Sequence, residues 1–372
     1  MFTVNYILDL FHTINATEVQ HTLMLALMHK RPASLHEVLR LAGLLQGYKD
    51  FLSLTKQAEA FFQAGDYRSA FNTISKMWVH PQIVPALLLM ECFETRELTV
   101  PYWYKSIKLR RQYIQKKNGG VRPIVVAHKG LRICMAVINR LLQSCCVSWS
   151  NQTFGFRPGF GTHHAVLHLA QKAQQMLNKQ QQAVLITFDL QAAYNSVDIK
   201  HLMQTLQLQY LPNDMKKLIW MWQHLPLAQL NAGINGLAQG YAYSPTLFAW
   251  YVDQLVGQHM DFTIYADNFA GVFLTQQDAQ FAVKEAQTLL QKSGLLIAPS
   301  SIKMHLLDKN QHSELNWLGH NVLFPSCTVK LQHHQLLVNQ HSPQVWTIQK
   351  WDKMLRTLGW VQLALNADWR RF

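Results

Sequence analysis

Apolar residues recur every three or four positions through the first hundred residues. HTLMLALMHK (21–30) and LHEVLRLAGLL (35–45) each carry such a stripe, which predicts amphipathic helices. KQAEAFFQAGDYRSAFNTISKMW (56–78) repeats the pattern on both sides of Gly65-Asp66, so a helical hairpin is expected there. From residue 101 the texture changes. Two strand-like runs in KSIKLRRQYIQKKNGGVRPIVV (105–126) flank Asn118-Gly119-Gly120, which predicts a β-hairpin. LRICMAVINRLLQSCCVSW (131–149) returns to helical spacing, the loop NQTFGFRPGFGTHHA follows, and another helix is expected to run to Leu177. AVLITFD (183–189) is short, apolar and β-branched, the texture of a buried strand, and it ends on an acid. Helical spacing resumes over 198–225, then a Gly-rich turn, GINGLAQGYAYSPTLFAWYV, becomes helical from Ser244-Pro245. IYADNFAG (264–271) reads as a hairpin. After it come a helix over Gln277–Ser293, a strand pair formed by Lys303–Leu307 and Trp317–Leu323, and an amphipathic tail over Val345–Phe372.

A chain of 372 residues with 49% hydrophobic content has material for two or three packed subdomains, which excludes a disordered chain. Lys and Arg outnumber Asp and Glu by 34 to 21, and the net charge of +13 points first to nucleic acid and second to an anionic membrane as partner. A solvated basic surface is the bland alternative. The excess is concentrated in the 105–126 hairpin, where Lys105, Lys108, Arg110, Arg111, Lys116, Lys117 and Arg122 fall together. The five cysteines (Cys92, Cys134, Cys145, Cys146, Cys327) are scattered, with no C-x-x-C pair, which argues against a disulfide framework and a zinc ribbon and suits a reducing compartment. No apolar window reaches the roughly 18 residues of a membrane span, so a soluble or nucleic-acid-associated protein is expected. MFTVNYILDLFHT has neither a secretory nor a transit pattern, which suggests synthesis in the compartment of use.

The chemistry turns on two acids. Nucleotidyl transfer needs divalent ions held by carboxylates and substrate phosphates. Asp189, closing a buried strand, and Asp267, at the tip of the IYADNFAG hairpin, supply that pair if the two elements are neighbours in one sheet. Taken alone, an Asp-Asn turn is ordinary, because both residues tolerate unusual backbone angles. His164 and His168, one helical turn apart, form a weaker metal candidate without a third ligand nearby.

From residue 105 to 325 the segment order resembles a reverse transcriptase of the group II intron type. The matching segments are NGGVRPIVV with LRICMAVINRLLQ, then FGFRPGFGTHHAV, FDLQAAYNSVD, GLAQGYAYSPTLFAWYVDQL, YADN, IKMHLL and LNWLGHNV. The resemblance implies an α+β right-hand polymerase. Its parts would be a helical N-terminal extension (1–100), fingers (101–180), palm and primer grip (181–325) and a short thumb-like helical tail (326–372). It also implies RNA-directed DNA polymerase activity on an RNA template with a DNA or RNA primer and deoxynucleoside triphosphates, using two Mg²⁺ ions, with Mn²⁺ as a substitute.

By the same resemblance Asp189 and Asp267 are the metal ligands and, with Asn268 and Lys303, the catalytic group, Lys303 standing where the family has a proton donor to pyrophosphate. Arg122 and Arg132 would meet the triphosphate, Tyr194 would gate the sugar 2′ position, and Gln239-Gly240 would touch the incoming nucleotide. Lys116, Lys117, Lys129 and Arg157 would contact nucleic acid, and Trp317 and Gly319 belong to the hairpin that grips the primer. Phe154, Phe156 and Pro158 read as structural. In the tail, Trp346, Trp351, Trp360 and Trp369 alternate with Lys350, Lys353, Arg356, Arg370 and Arg371, which suits base stacking with phosphate contact as well as plain packing.

The chain departs from the family pattern at four places. Asn268 stands for the second acid of Tyr-Ala-Asp-Asp, Asn195 for an acid of the first box (Asp198 is retained), Ala238 for proline, and Leu131 for the acid before Arg132. Loss of a charge at 268 lowers the expected metal affinity. The rival readings are therefore a weakened or inactive polymerase fold acting as an RNA-binding or splicing cofactor, and an RNA-dependent RNA polymerase, which Tyr194 and FGFRPG disfavour. In length and motif order the chain is similar to members of this family encoded in green algal mitochondrial genomes, so a mitochondrial, organelle-encoded protein is expected.

Overall fold

The structure, a computed structural model, describes residues 35–95, 109–115, 119–145, 149–157, 159–206, 211–230 and 236–331. The amphipathic tail, Lys105, Lys108, Lys116, Lys117, Pro158 and the segment 21–30 lie outside them. In chain order the elements are α1 (Leu35–Leu41), α2 (Leu45–Gln63), α3 (Tyr67–Val79), α4 (Ile83–Thr95), β1 (Leu109–Gln115), β2 (Val121–Ala127), α5 (Lys129–Cys145), α6 (Thr162–Lys179), β3 (Gln182–Asp189), α7 (Ile199–Leu206), α8 (Asn213–Leu230), α9 (Ser244–Val252), β4 (Thr263–Tyr265), β5 (Asn268–Phe273), α10 (Gln276–Gln291), β6 (Lys303–Asp308), β7 (Ser313–Trp317), β8 (His320–Phe324) and β9 (Thr328–Leu331). The chain divides into two compact units, Met1–Ser148 with Tyr194–Phe248 and Trp149–Ala193 with Ala249–Phe372.

In the first unit the Gly65-Asp66 turn forms as the pattern predicts. Gly65 takes φ +75°, which its missing Cβ allows, and the Asp66 carboxylate accepts from Ser69 N at 3.0 Å as the N-cap of α3. α2 buries Gly47, Phe51, Ala58 and Phe62 on one stripe. α4 is apolar around its whole circumference, which marks an enclosed helix, and it packs on α2 and α5. Glu91, buried in α4, is paired with Arg140 of α5, so this buried acid is not left as an isolated charge. β1 and β2 pair antiparallel, with Arg110, Arg111 and Arg122 exposed on the ribbon.

The Gly-rich turn of this unit shows how the chain does without the family's proline. The Ala238 N–H donates to Gln223 Oε1 at 3.0 Å, and Gln223 Nε2 donates to Tyr243 Oη at 3.1 Å, all three residues being buried. Proline has no N–H to give. Ala238→Pro is therefore expected to orphan Gln223 Oε1 and to lower unfolding free energy by about 1–3 kcal/mol, read as a shifted midpoint in urea denaturation.

The second unit is built on a four-stranded antiparallel sheet of order β4-β5-β3-β6. Ala183 and Leu185 of β3 and Ala270 and Val272 of β5 face α6, whose Ala165, Val166, Leu169, Ala170 and Ala173 complete that core. Phe188 and Phe269, of the opposite parity, stack at 4.7 Å on the other face beside Phe262. The expected strand pair of Lys303–Leu307 with Trp317–Leu323 does not form. β6 joins β3 instead, because its Leu307 buries over Ala183, and Trp317 pairs with His320 inside its own hairpin, β7–β8. The helices expected over 198–225 are present as α7 and α8.

Four histidines of this unit are held neutral. Burial pushes His163 down to about 3, helped by His164 and His320, and pushes His164, His168 and His320 down to about 4. His164 Nδ1 accepts from Gly161 N at 2.9 Å and His168 Nδ1 sits 2.9 Å from Thr263 Oγ1, so the two do not share a ligand. A depressed folded-state pKa means that the unfolded chain binds the proton first. The stability these residues contribute is full above pH 6.5 and is lost as pH falls towards 4. Denaturation midpoints are expected to drop steeply across that window, with about three to four protons taken up on unfolding at pH 5. A flat profile would contradict their burial.

Candidate active site

Asp189 is the last residue of β3, and Asp267 sits in the two-residue turn between β4 and β5. The register places Asp189 opposite Asn268, so the neighbouring Asp267 comes to the same end of the sheet. Main-chain bonds hold both: Leu190 N donates to Asp267 O at 3.0 Å, and Ala298 N donates to Asp189 O at 2.9 Å. Ser301 Oγ accepts from Asp189 N at 2.9 Å and donates to Ala298 O at 2.6 Å, tying the strand end to the following loop. Ala266 takes φ +56°, a left-handed conformation unusual for a residue with a Cβ, and thereby aims the turn.

The electrostatics follow from this placement. Partial burial raises the Asp189 carboxyl above its usual range, the Asp267 charge raises it further, and Lys303 opposes both. Lys303 opens β6 opposite Thr187, on the sheet face that Asp189 shares, and is exposed. The Asn268 amide donates to Asp267 Oδ1 at 3.1 Å. Two hard oxygen ligands whose charges disfavour one another fit a divalent cation, which would relieve that repulsion. Asp189 and Asp267 are the residues that would hold it.

Other predicted residues fall in the first unit. The Gln239-Gly240 turn lies on β2: Val125 N donates to Gln239 O at 2.7 Å, and a Cβ on Gly240, at φ +106°, would sit 2.3 Å from Val125 O. Gln239 Oε1 is buried without a protein partner among the described residues. Arg122 is on that same strand, and Arg132 is exposed on α5. The Tyr194 ring stacks on Phe248 at 4.7 Å, and its carbonyl accepts from Leu237 N at 2.7 Å, which joins it to the Gly-rich turn. Lys116 and Lys117 lie outside the described residues, as does the Lys129 side chain.

In the second unit Trp317 is buried in the core beneath the β7–β8 hairpin, and Leu318 and Gly319, at φ +51° and +75°, make its two-residue turn. Arg157 is engaged internally: Nη1 donates to Ser150 O at 2.8 Å and Thr153 O at 3.3 Å, and the guanidinium lies 4.3 Å from the Phe160 ring centre. Sequence reasoning missed Ser301, Gln223 and Asp253. Each acts through a partner far along the chain, and no local pattern marks such a residue.

A chain of mixed helices and strands, with a four-stranded antiparallel sheet that carries two carboxylates at one end, has the α+β fold of the right-hand polymerases. The profile of the family described as reverse transcriptase (RNA-dependent DNA polymerase) matches residues 114–322, and the chain belongs to that family. It is 98% identical over 372 residues, 100% of both chains, to the "Reverse transcriptase-like protein" of Chlamydomonas reinhardtii. It is 24% identical over 175 residues, 45% of each chain, to Protein YkfC of Escherichia coli (strain K12). Among solved structures it is similar to apo telomerase from Candida Tropicalis truncated from the C-terminal domain (TM-score 0.45, 14% identity, 63% of this chain and 56% of that one). It is also similar to the Candida Tropicalis telomerase in complex with the TWJ fragment of telomeric RNA (TM-score 0.45, 12% identity, 71% and 55%). The chain thus spans about half the length of those telomerase chains.

Proposed function

We propose that the chain is an RNA-directed DNA polymerase of the group II intron type, extending a DNA or RNA primer on an RNA template. The observation that carries this reading is the pair Asp189 and Asp267 at one sheet end, close enough for the second charge to raise the proton affinity of the first. Divalent ions bound there, Mg²⁺ with Mn²⁺ as a substitute, would neutralise developing charge and orient the reacting oxygens. The protein's own groups have separate work. Lys303, on the Asp189 face, gives a proton to the departing pyrophosphate. Arg122 and Arg132 neutralise the triphosphate, Gln239 offers its unpartnered Oε1 to the nucleotide, and the Tyr194 ring, fixed by Phe248, sets the room for a 2′-hydroxyl. Lys116, Lys117 and Lys129 meet the template backbone. The fingers, palm and short-thumb division and a mitochondrial location belong to the same proposal.

Asn268 favours a second reading, a polymerase fold weakened or kept for RNA binding. It removes one charge and places an N–H on an oxygen a metal would use. Deoxynucleotide incorporation on a primed RNA, titrated with Mg²⁺ and Mn²⁺, separates the two. Extension by the wild type, with Asn268→Asp active at about tenfold lower metal, supports the polymerase. RNA binding without extension in either supports the second reading.

A further inference from the structure

Asp253 is fully buried, in the π-helical turn Asp253–Gly257 that follows α9, and the motif reading leaves it without a role. Its carboxylate accepts from Ser150 N at 3.1 Å and from Ser150 Oγ. Gly257 makes room for this, since a Cβ there would lie 2.4 Å from Asp253 Oδ1, 2.8 Å from Thr153 Oγ1 and 2.9 Å from Ser150 Oγ. The Asp253 charge also acts on Arg157, which grips the same short segment through Ser150 O and Thr153 O. The segment 150–153 is thus clamped through its N–H at one end and through two carbonyls.

What it supports is the metal-site turn. Ile264 N donates to Gln152 O at 2.8 Å and Phe154 N donates to Ile264 O at 2.9 Å, so residues 152–154 run as an added partner along β4. Gly155 then presses on the turn itself: a Cβ there would stand 2.2 Å from Ala266 N. Ala266 is the left-handed residue that aims Asp267. We propose that Asp253 and Arg157 are positioning residues that fix Asp267 through residues 150–155, so that the FGFRPG segment serves as a strut for the metal-binding turn. The inference rests on Asp267 being a metal ligand, as in the proposed function. Burial alone would explain an apolar residue at 253; it does not explain a carboxylate, a tailored glycine and an arginine converging on the four-residue segment 150–153.

The test uses the full chain with two readouts: Mn²⁺ affinity from the free-ion paramagnetic resonance signal, and single-nucleotide kcat and KM. Asp253→Asn is expected to weaken Mn²⁺ binding about tenfold and to lower kcat about a hundredfold while KM for the nucleotide stays within about twofold. Ser150→Ala, which removes only the hydroxyl, gives a smaller loss in the same direction. The double variant Asp253→Asn with Arg157→Met leaves no buried unpaired charge, and is expected to regain thermal stability without regaining Mn²⁺ affinity. Full Mn²⁺ affinity in Asp253→Asn, or recovered together with stability in the double variant, overturns the proposal, as does a wild type that binds no Mn²⁺. If the wild type binds Mn²⁺ yet extends no primer, the polymerase reading fails while the comparison of affinities still decides the strut.

Discussion

On the proposed polymerase reading, alanine at Asp267 or at Asp189 is expected to abolish primer extension while leaving RNA binding in place. Each carboxylate supplies half of the charge at the sheet end, and no third acid stands in the turn, because Asn268 occupies the place where the family has one. On that reading, removing two of four carboxylate oxygens would weaken the hold on a divalent ion, and loss of about 4 kcal/mol of transition-state stabilisation is roughly a thousandfold in rate. Neither variant disturbs the sheet. The bonds that hold Asp189 and Asp267 in place run through their main-chain groups, to Ala298, Ser301 and Leu190, and survive truncation of the side chain. Rates below about a thousandth of wild type, with RNA affinity changed by less than about twofold, are the expected outcome. Residual activity above a tenth of wild type in either variant would remove these residues from the catalytic group.

Asp189→Asn is expected to raise stability. The folded-state pKa of Asp189 lies above 3.8, raised by burial, then by Asp267, so ionising this group costs more in the fold than in the unfolded chain. Its contribution to stability is therefore present in full below pH 3.8 and is lost as pH rises through the folded value. Near neutral pH, without metal, the wild type bears that penalty and Asp189→Asn does not. A melting temperature higher by on the order of 1–2 °C is expected for the variant, a small figure because the strand end is open to solvent. The difference should vanish on acidification to about pH 3 and should reverse on adding Mg²⁺, which stabilises only the chain that binds it. A variant less stable than wild type in metal-free neutral buffer would mean that the two carboxylates do not repel.

Particular residues show what kinds of feature can be read along a chain. The Gly65-Asp66 turn, the β1–β2 hairpin and the Asp267 hairpin were all legible, since each is specified within a few residues by periodicity, a glycine or a cap. The partner of β6 was not. Lys303–Asp308 has the texture of a strand wherever it pairs, and only burial of Leu307 over Ala183 puts it on β3 rather than beside the next hairpin. Arg157 shows the same limit in a site residue: its motif suggested a nucleic-acid contact, whereas its guanidinium is engaged by Ser150, Thr153 and Phe160. Ala238, a departure from the family pattern in sequence, has its own internal logic once Gln223 is seen to use its N–H.

By itself the sequence determined which residues are candidates for the chemistry: two acids in strand and hairpin settings, the missing charge at 268, a lysine, and a basic ribbon. These follow from residue type and short-range pattern, which the chain carries whether or not it is folded. The tertiary structure alone decided that Asp189 and Asn268 face one another, that Asn268 gives its N–H to Asp267, and that Asp253, 14 residues before that turn, clamps the segment against which it rests. Those facts depend on which strands pair and which polar groups are left to find partners once apolar surface is buried, and both are settled by the whole chain at once.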